Sequence, residues 1–84
     1  MIKVKNESTN SIEVAINKWG NDGDTNYFAI HTSNSESWDR ADPRGFILSL
    51  KMNAKVKPYI VLFDSNIVVN NESVIIDGVP HHLP

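Results

Sequence analysis

Apolar residues return at every second position along much of this chain. Ile2 and Val4 alternate with Lys3 and Lys5, and Ile12, Val14 and Ile16 alternate with Glu13, Ala15 and Asn17. Phe46, Leu48, Leu50 and Met52 alternate with Ile47, Ser49 and Lys51. A period of two puts the apolar residues on one side of a pleated strand, so each run predicts a strand with one buried face. No stretch carries the spacing of an amphipathic helix. The residue types agree: nine Ile and eight Val stand against four Leu and four Ala. Branching at Cβ suits a pleated surface better than a helix.

Strands are predicted over 2–5, 12–19, 27–32, 37–40, 46–52, 56–63, 67–69 and 73–77. Between them lie polar segments, among them residues 6–11, the loop Gly20–Asn26 and residues 33–36. The ten Asn suit such turns, because Asn tolerates the left-handed region. Asp42-Pro43-Arg44-Gly45 fits a type I turn, with Asp first, Pro second and Gly last. Short strands with regular turns predict an all-β fold, an antiparallel β-sandwich or flattened barrel of about seven strands. The whole of residues 1–84 makes one domain.

A chain this short buries only roughly 60% of the surface its unfolded form exposes, so it needs help beyond its own core. It has no Cys. Disulfides and Cys-ligated metal centres are therefore excluded, which leaves self-association as the available support.

The C-terminal register points the same way. A three-residue turn over Asn53–Lys55 pairs Met52 with Val56, Leu50 with Pro58, Leu48 with Ile60 and Phe46 with Leu62. A two-residue turn sets Lys57 opposite Leu50 on the apolar face, so the longer turn is expected. Pro58 then belongs at a bulge or on an edge strand. A second three-residue turn, Asp64–Asn66, opposes Val61 with Val69 and Phe63 with Ile67. Ile47, Val61, Phe63, Ile67, Val69 and Ile75 then form a second apolar face, which must be covered by intramolecular closure or by another copy. A homo-oligomer is the expected partner state.

Several function classes fall away. The net charge is −2, with no basic excess to neutralise phosphates, so nucleic acid is not an expected partner. Lys51, Lys55 and Lys57 read as a solvated strand face. No apolar run is long enough to span a bilayer. The first residues alternate like a strand and lack the apolar centre of a secretory leader. A cytoplasmic protein, or one exported without a conventional leader, is expected. Glycosylation sequons at Asn6 and Asn71 read as products of Asn and Ser richness.

The chain lacks Gly-x-Ser-x-Gly, Walker A and Gly-x-Gly-x-x-Gly motifs. His31 reads as an outward strand residue, and His81-His82 as tail residues that point opposite ways. Residues 21–26 offer clustered oxygens to a hard cation, but Thr32 stands where a calcium loop needs Glu. No enzymatic activity, metal or cofactor is expected.

The candidate site is a binding surface. Trp19 and Trp38 each end a strand beside a polar loop, with Asp22, Asp24, Asp39 and Arg40 close in sequence. An aromatic face to stack on, with planar polar groups to orient, suits a carbohydrate or a lipid headgroup. The competing reading has the tryptophans plugging the core ends while Asp39, Arg40, Asp42 and Arg44 brace the turn.

Val4-Lys5-Asn6, the Ile12–Ile16 run, Trp19-Gly20, Asp22-Gly23-Asp24, Glu36-Ser37-Trp38-Asp39-Arg40 and Arg44-Gly45-Phe46 carry a resemblance. The chain resembles short uncharacterised β-proteins of fungi and bacteria, and residues 2–50 are similar to the first half of aegerolysins. Those are small acidic β-sandwiches that bind membrane lipids, often with a pore-forming partner. The resemblance implies a sandwich. This chain is shorter and lacks that family's cysteines and later Trp-rich strand, so no lipid site is transferred. The expected function is a lectin-like, self-associating binding module. The alternative is a structural protein that self-assembles into arrays or crystals.

Overall fold

The computed structural model describes residues 1–20 and 23–84. Among them, nine strands form two sheets and there is no helix. The strands are β1 (Ile2–Asn6), β2 (Ile12–Ile16), β3 (Phe28–Ile30), β4 (Ser35–Trp38), β5 (Phe46–Met52), β6 (Lys55–Val61), β7 (Asn66–Val69), β8 (Val74–Ile76) and β9 (Val79–His81). One sheet has the order β4-β1-β7-β8-β9 and the other β3-β2-β5-β6. The all-β expectation holds. The strand number is nine rather than about seven; β8 matches the run expected over 73–77, and β9 pairs with it where a tail was expected. A single closed barrel is ruled out by the four open edges at β3, β4, β6 and β9.

The alternating runs do what their period dictates. Ile2 and Val4 of β1, Ile12, Val14 and Ile16 of β2, and Leu48 and Leu50 of β5 are all buried. Residues from both sheets join in one core. Burying each such aliphatic contributes about 1.5–3 kcal/mol before chain entropy is set against it. Asn6 continues the inward row of β1 and is also buried, yet its amide is satisfied. Its Nδ2 donates to the carbonyls of Asn10 (2.7 Å) and Ile30 (2.8 Å), and its Oδ1 accepts from Ser8 N and Oγ. The sequon at Asn6 is thus closed to a glycan in the folded chain, whereas Asn71 is exposed.

The register at the β5–β6 turn differs from expectation. A two-residue turn, Asn53-Ala54, pairs Met52 with Lys55, Leu50 with Lys57, Leu48 with Tyr59 and Phe46 with Val61. Both turn residues have positive φ, 53° and 63°. This primed geometry matches the twist of the flanking strands. Setting Lys57 opposite Leu50 is tolerable because β6 is an edge strand. The side chain is only half-buried, and its Nζ lies 5.6 Å from the Tyr59 ring centre. Its stem covers apolar surface while the ammonium reaches water. Pro58 lies on an edge strand, as one of the two expected placements required. In a two-residue hairpin the bonded pairs recur at every second position, so Pro58, opposite Ser49, turns its missing donor to the open side.

The second expected hairpin does not form. After β6 the chain crosses to the other sheet, where β7 runs parallel to β1 and antiparallel to β8, so that sheet is mixed rather than antiparallel as expected. Ser65 is the pivot: its Oγ accepts from Leu62 N (2.8 Å) and donates to Asp77 Oδ2 (2.7 Å). The crossing turns Val61, Ile67 and Val69 into the core and leaves Ile75 half-buried. Of the six residues expected on the second apolar face, Ile47 and Phe63 are exposed. The exposed aliphatic band is instead Ile47, Val56, Ile60 and Leu62 on β5, β6 and the residue after it, with Ile60 81% exposed.

Candidate functional site

The open edges β3 and β4 belong to different sheets but meet on one side of the molecule. Phe28 on β3 and Trp38 on β4 stand edge to face, with centroids 6.0 Å apart and planes at 72°. Around this contact lies a cleft of about 840 Å³. Trp19, Gly23 and Asp24 line it from the loop after β2, Glu36 and Trp38 from β4, and Asp39, Arg40 and Asp42 from the segment leading to β5. Phe28 and Phe46 supply further apolar wall. The loops that begin at residues 20 and 41 therefore meet in space.

Arg40 ties the segments together. Its Nε donates to the carbonyl of Asn17 (3.0 Å), and its Nη2 donates to the carbonyls of Ile16 (3.1 Å) and Asp24 (2.5 Å). Only 6% of the residue is exposed. Hydrogen bonds to a charged donor are stronger than neutral ones, so this guanidinium clamps the end of β2 to the loop beyond it. Gly23 makes room for the clamp: its φ is +99°, and a Cβ there would collide with Arg40 Nη1.

The turn after Arg40 is braced as the competing sequence reading required for Asp42 and Arg44. Arg44 grips Asp42 with Nε on Oδ1 (3.0 Å) and Nη2 on Oδ2 (2.8 Å), and Asp42 Oδ1 also accepts from Arg44 N (2.9 Å). These bonds hold the Asp42 carboxyl below, and the Arg44 guanidinium above, their ordinary values. The same guanidinium lies 3.8 Å from the centre of the Trp19 ring, whose Nε1 donates to the Gly45 carbonyl (2.8 Å).

Of the six residues expected at the site, Trp19, Asp24, Trp38, Asp39 and Arg40 line the one cleft, and Asp22 lies outside the described residues. Their roles divide. Trp38 is only 4% exposed and belongs to the core, so it is wall rather than open stacking platform. Arg40 is buried scaffold. Trp19, Asp24 and Asp39 are exposed. Phe28 and Glu36 line the cleft without having been expected there. Glu36 shares the inward face of β4 with Trp38, since it stands two residues before it and opposite Val4. Its position at the open seam keeps it solvated.

The remaining histidines lie elsewhere. His31 Nδ1 is 2.9 Å from Ser11 Oγ on the exposed surface. His81, expected in a tail, sits in β9. A second groove, of about 730 Å³, runs between the other two open edges, β6 and β9. There Tyr59 donates to the His82 carbonyl (2.5 Å) and its ring stands edge-on to His81. Pro58 and Pro80 sit on these two edges and each withholds a donor. No helix is long and apolar enough to cross a membrane among the described residues. No known protein family, curated protein or solved structure matches the chain.

Proposed function

We propose that the chain is a non-enzymatic binding module, a small two-sheet sandwich whose β3–β4 cleft takes a glycan or a lipid headgroup. The observation that carries this reading is the convergence of Trp19, Asp24, Asp39 and Arg40, from two separate loops, on one cleft. Exposed carboxylates and a ring beside an apolar wall orient hydroxyls and stack sugar faces. Arg40 and the Asp42–Arg44 pair hold the walls in place before any ligand arrives, which lowers the ordering cost of binding.

The test is a glycan array run beside a panel of vesicles with different headgroups, using the wild type and Asp39→Ala. Asp39 is exposed and makes no ion pair among the described residues, so its removal leaves the fold intact. Binding to one panel that Asp39→Ala weakens, at an unchanged melting temperature, supports the reading. Absence of binding to both panels removes it.

The exposed band favours a second reading, self-assembly. Ile60 stands opposite Ile47 on the outer face of β6 and β5, with Val56 and Leu62 on the same face. Face-to-face contact between copies covers this band, whereas edge-to-edge pairing at β6 is opposed by Pro58. Sedimentation over a concentration series, compared with Ile60→Lys, tests it. A wild type that stays monomeric throughout removes the assembly.

A further inference from the structure

Each seam between the two sheets is lined by two open edges, β6 and β9 on one side and β3 and β4 on the other. The edges are not equally open. In the β5–β6 and β8–β9 hairpins the bonded pairs recur at every second position, so Pro58 and Pro80 turn their missing donors outward from β6 and β9. A proline so placed opposes the addition of a further strand. Neither β3 nor β4 carries one.

The register shows which groups of β4 face outward. Asn6 N donates to the Asn34 carbonyl (2.9 Å), so the backbone of Asn6 faces the β4 side. Alternation then turns Val4 and Ile2 to Glu36 and Trp38. Lys3 N instead donates to the Ser65 carbonyl (3.0 Å), on the β7 side. The N–H and C=O groups of Ser35 and Ser37 therefore face the open side, and no loop backbone among the described residues pairs them. Such a row is a template for another strand.

The side chains decide which strand fits. Ser35 and Ser37 set small hydroxyls on the outer face, level with Lys5 and Lys3 of β1, and all four residues are exposed. A strand added to β4 lies about 10 Å from β1, two strand spacings, within reach of a lysine that passes over a serine. Lys3 makes no ion pair among the described residues, and Lys5 makes only a long one with Glu7 (3.9 Å). Glu36 points the other way and is exposed. An inward charge on an edge rejects an apolar or acidic residue opposite it and accepts a basic one. A second copy of β4 fails that requirement. Antiparallel self-pairing gathers the Glu36 carboxylates on one face and the lysines of both copies on the other, and like charges across a pair destabilise it.

We propose that the open edge of β4 binds an extended segment of a partner protein by strand addition, antiparallel to Ser35–Trp38, with a basic residue between two acidic ones. The acidic residues stand opposite Ser35 and Ser37 and meet Lys5 and Lys3. The basic residue stands opposite Glu36. This binding does not depend on what the cleft itself takes.

The experiment is an NMR titration of isotope-labelled protein with the capped peptide Thr-Val-Glu-Lys-Glu-Val-Thr. Amide shifts centred on Ser35–Trp38, with slowed hydrogen exchange at Ser35 and Ser37, are expected. The charge-reversed peptide Thr-Val-Lys-Glu-Lys-Val-Thr should bind at least about fivefold more weakly, although its net positive charge suits the acidic protein better. N-methylation of the two Glu amides removes the donors that face β4 and should abolish binding. N-methylation of the Lys amide, which faces away, should leave it. Glu36→Lys should weaken the first peptide by a similar factor at an unchanged melting temperature. Equal loss from the two N-methylations overturns strand addition. Equal or tighter binding of the reversed peptide overturns the charge pattern, and with it the partner assigned. Shifts at Ser35–Ser37 on dilution of the protein alone give the edge to a second copy and overturn the proposal. No shift at β4 up to the solubility of the first peptide, on protein with a normal melting curve, also overturns it.

Discussion

Phe28 and Trp38 come from edge strands of different sheets, yet their rings meet at 6.0 Å and 72°. This contact joins the two sheets on the side where the cleft opens, so it serves fold and site together. Such a pair is worth about 0.5–1.5 kcal/mol beyond its buried area. Phe28→Ala should therefore cost about 1–2 kcal/mol by urea denaturation and leave a wider cleft. Trp38→Ala should cost about 3–5 kcal/mol, as for a large core residue, and is unsuitable as a binding variant.

Gly23 and Gly20 separate crowding from backbone strain. Both have positive φ, but a Cβ at Gly20 meets nothing within 4 Å, whereas one at Gly23 runs into Arg40. Gly20→Ala should cost about 1 kcal/mol, the strain of a left-handed non-glycine residue. Gly23→Ala should cost at least 1 kcal/mol more, because the guanidinium must leave some of its three carbonyls. Equal melting temperatures for the two variants would contradict the clamp.

The hairpin turn between β5 and β6 carries Ala54 at φ 63°. Asn-Gly is the preferred pair for this turn, and Ala pays a steric penalty there. Ala54→Gly should raise stability by roughly 0.5–1 kcal/mol, after allowing for the greater freedom of glycine in the unfolded chain. A melting temperature several degrees higher is the expected readout. A fall would show that the turn does not have this geometry.

Burial pushes the Tyr59 hydroxyl above its ordinary value of 10.0. Its folded form therefore keeps the proton after the unfolded chain has lost it. Stability from this residue is fully present below pH 10 and should decline as pH rises through the folded value. Denaturation midpoints measured from pH 9 upward in wild type and Tyr59→Phe should differ by a constant amount below pH 10, with the wild type losing stability relative to the variant as pH rises further. A pH-independent difference between the two would contradict the shift.

The strand runs were legible because period-two alternation depends on local pleating alone. Ile2–Val4, Ile12–Ile16 and Phe46–Met52 needed no knowledge of partners. Pairing was not legible. The register of β6 was misread because an inward lysine looks costly until β6 is known to be an edge. The crossing at Ser65 was missed because its partner, Asp77, lies twelve residues on and belongs to another turn. At the cleft, Trp19, Asp24, Asp39 and Arg40 were visible as aromatic and charged residues beside loops. Phe28 and Glu36 were not, since their place depends on β3 and β4 being edges on one side. Nor did composition distinguish Trp38 as wall from Trp19 as exposed ring.

The most direct test of the cleft as the ligand site is an amide shift map, recorded with the best-retained glycan or headgroup from the two panels. Shifts centred on residues 23–28 and 36–42, with both indoles moving, are the expected result. Shifts centred on Val56 and Ile60, or on Tyr59 and His81, would place binding on the outer face or the opposite seam and contradict it.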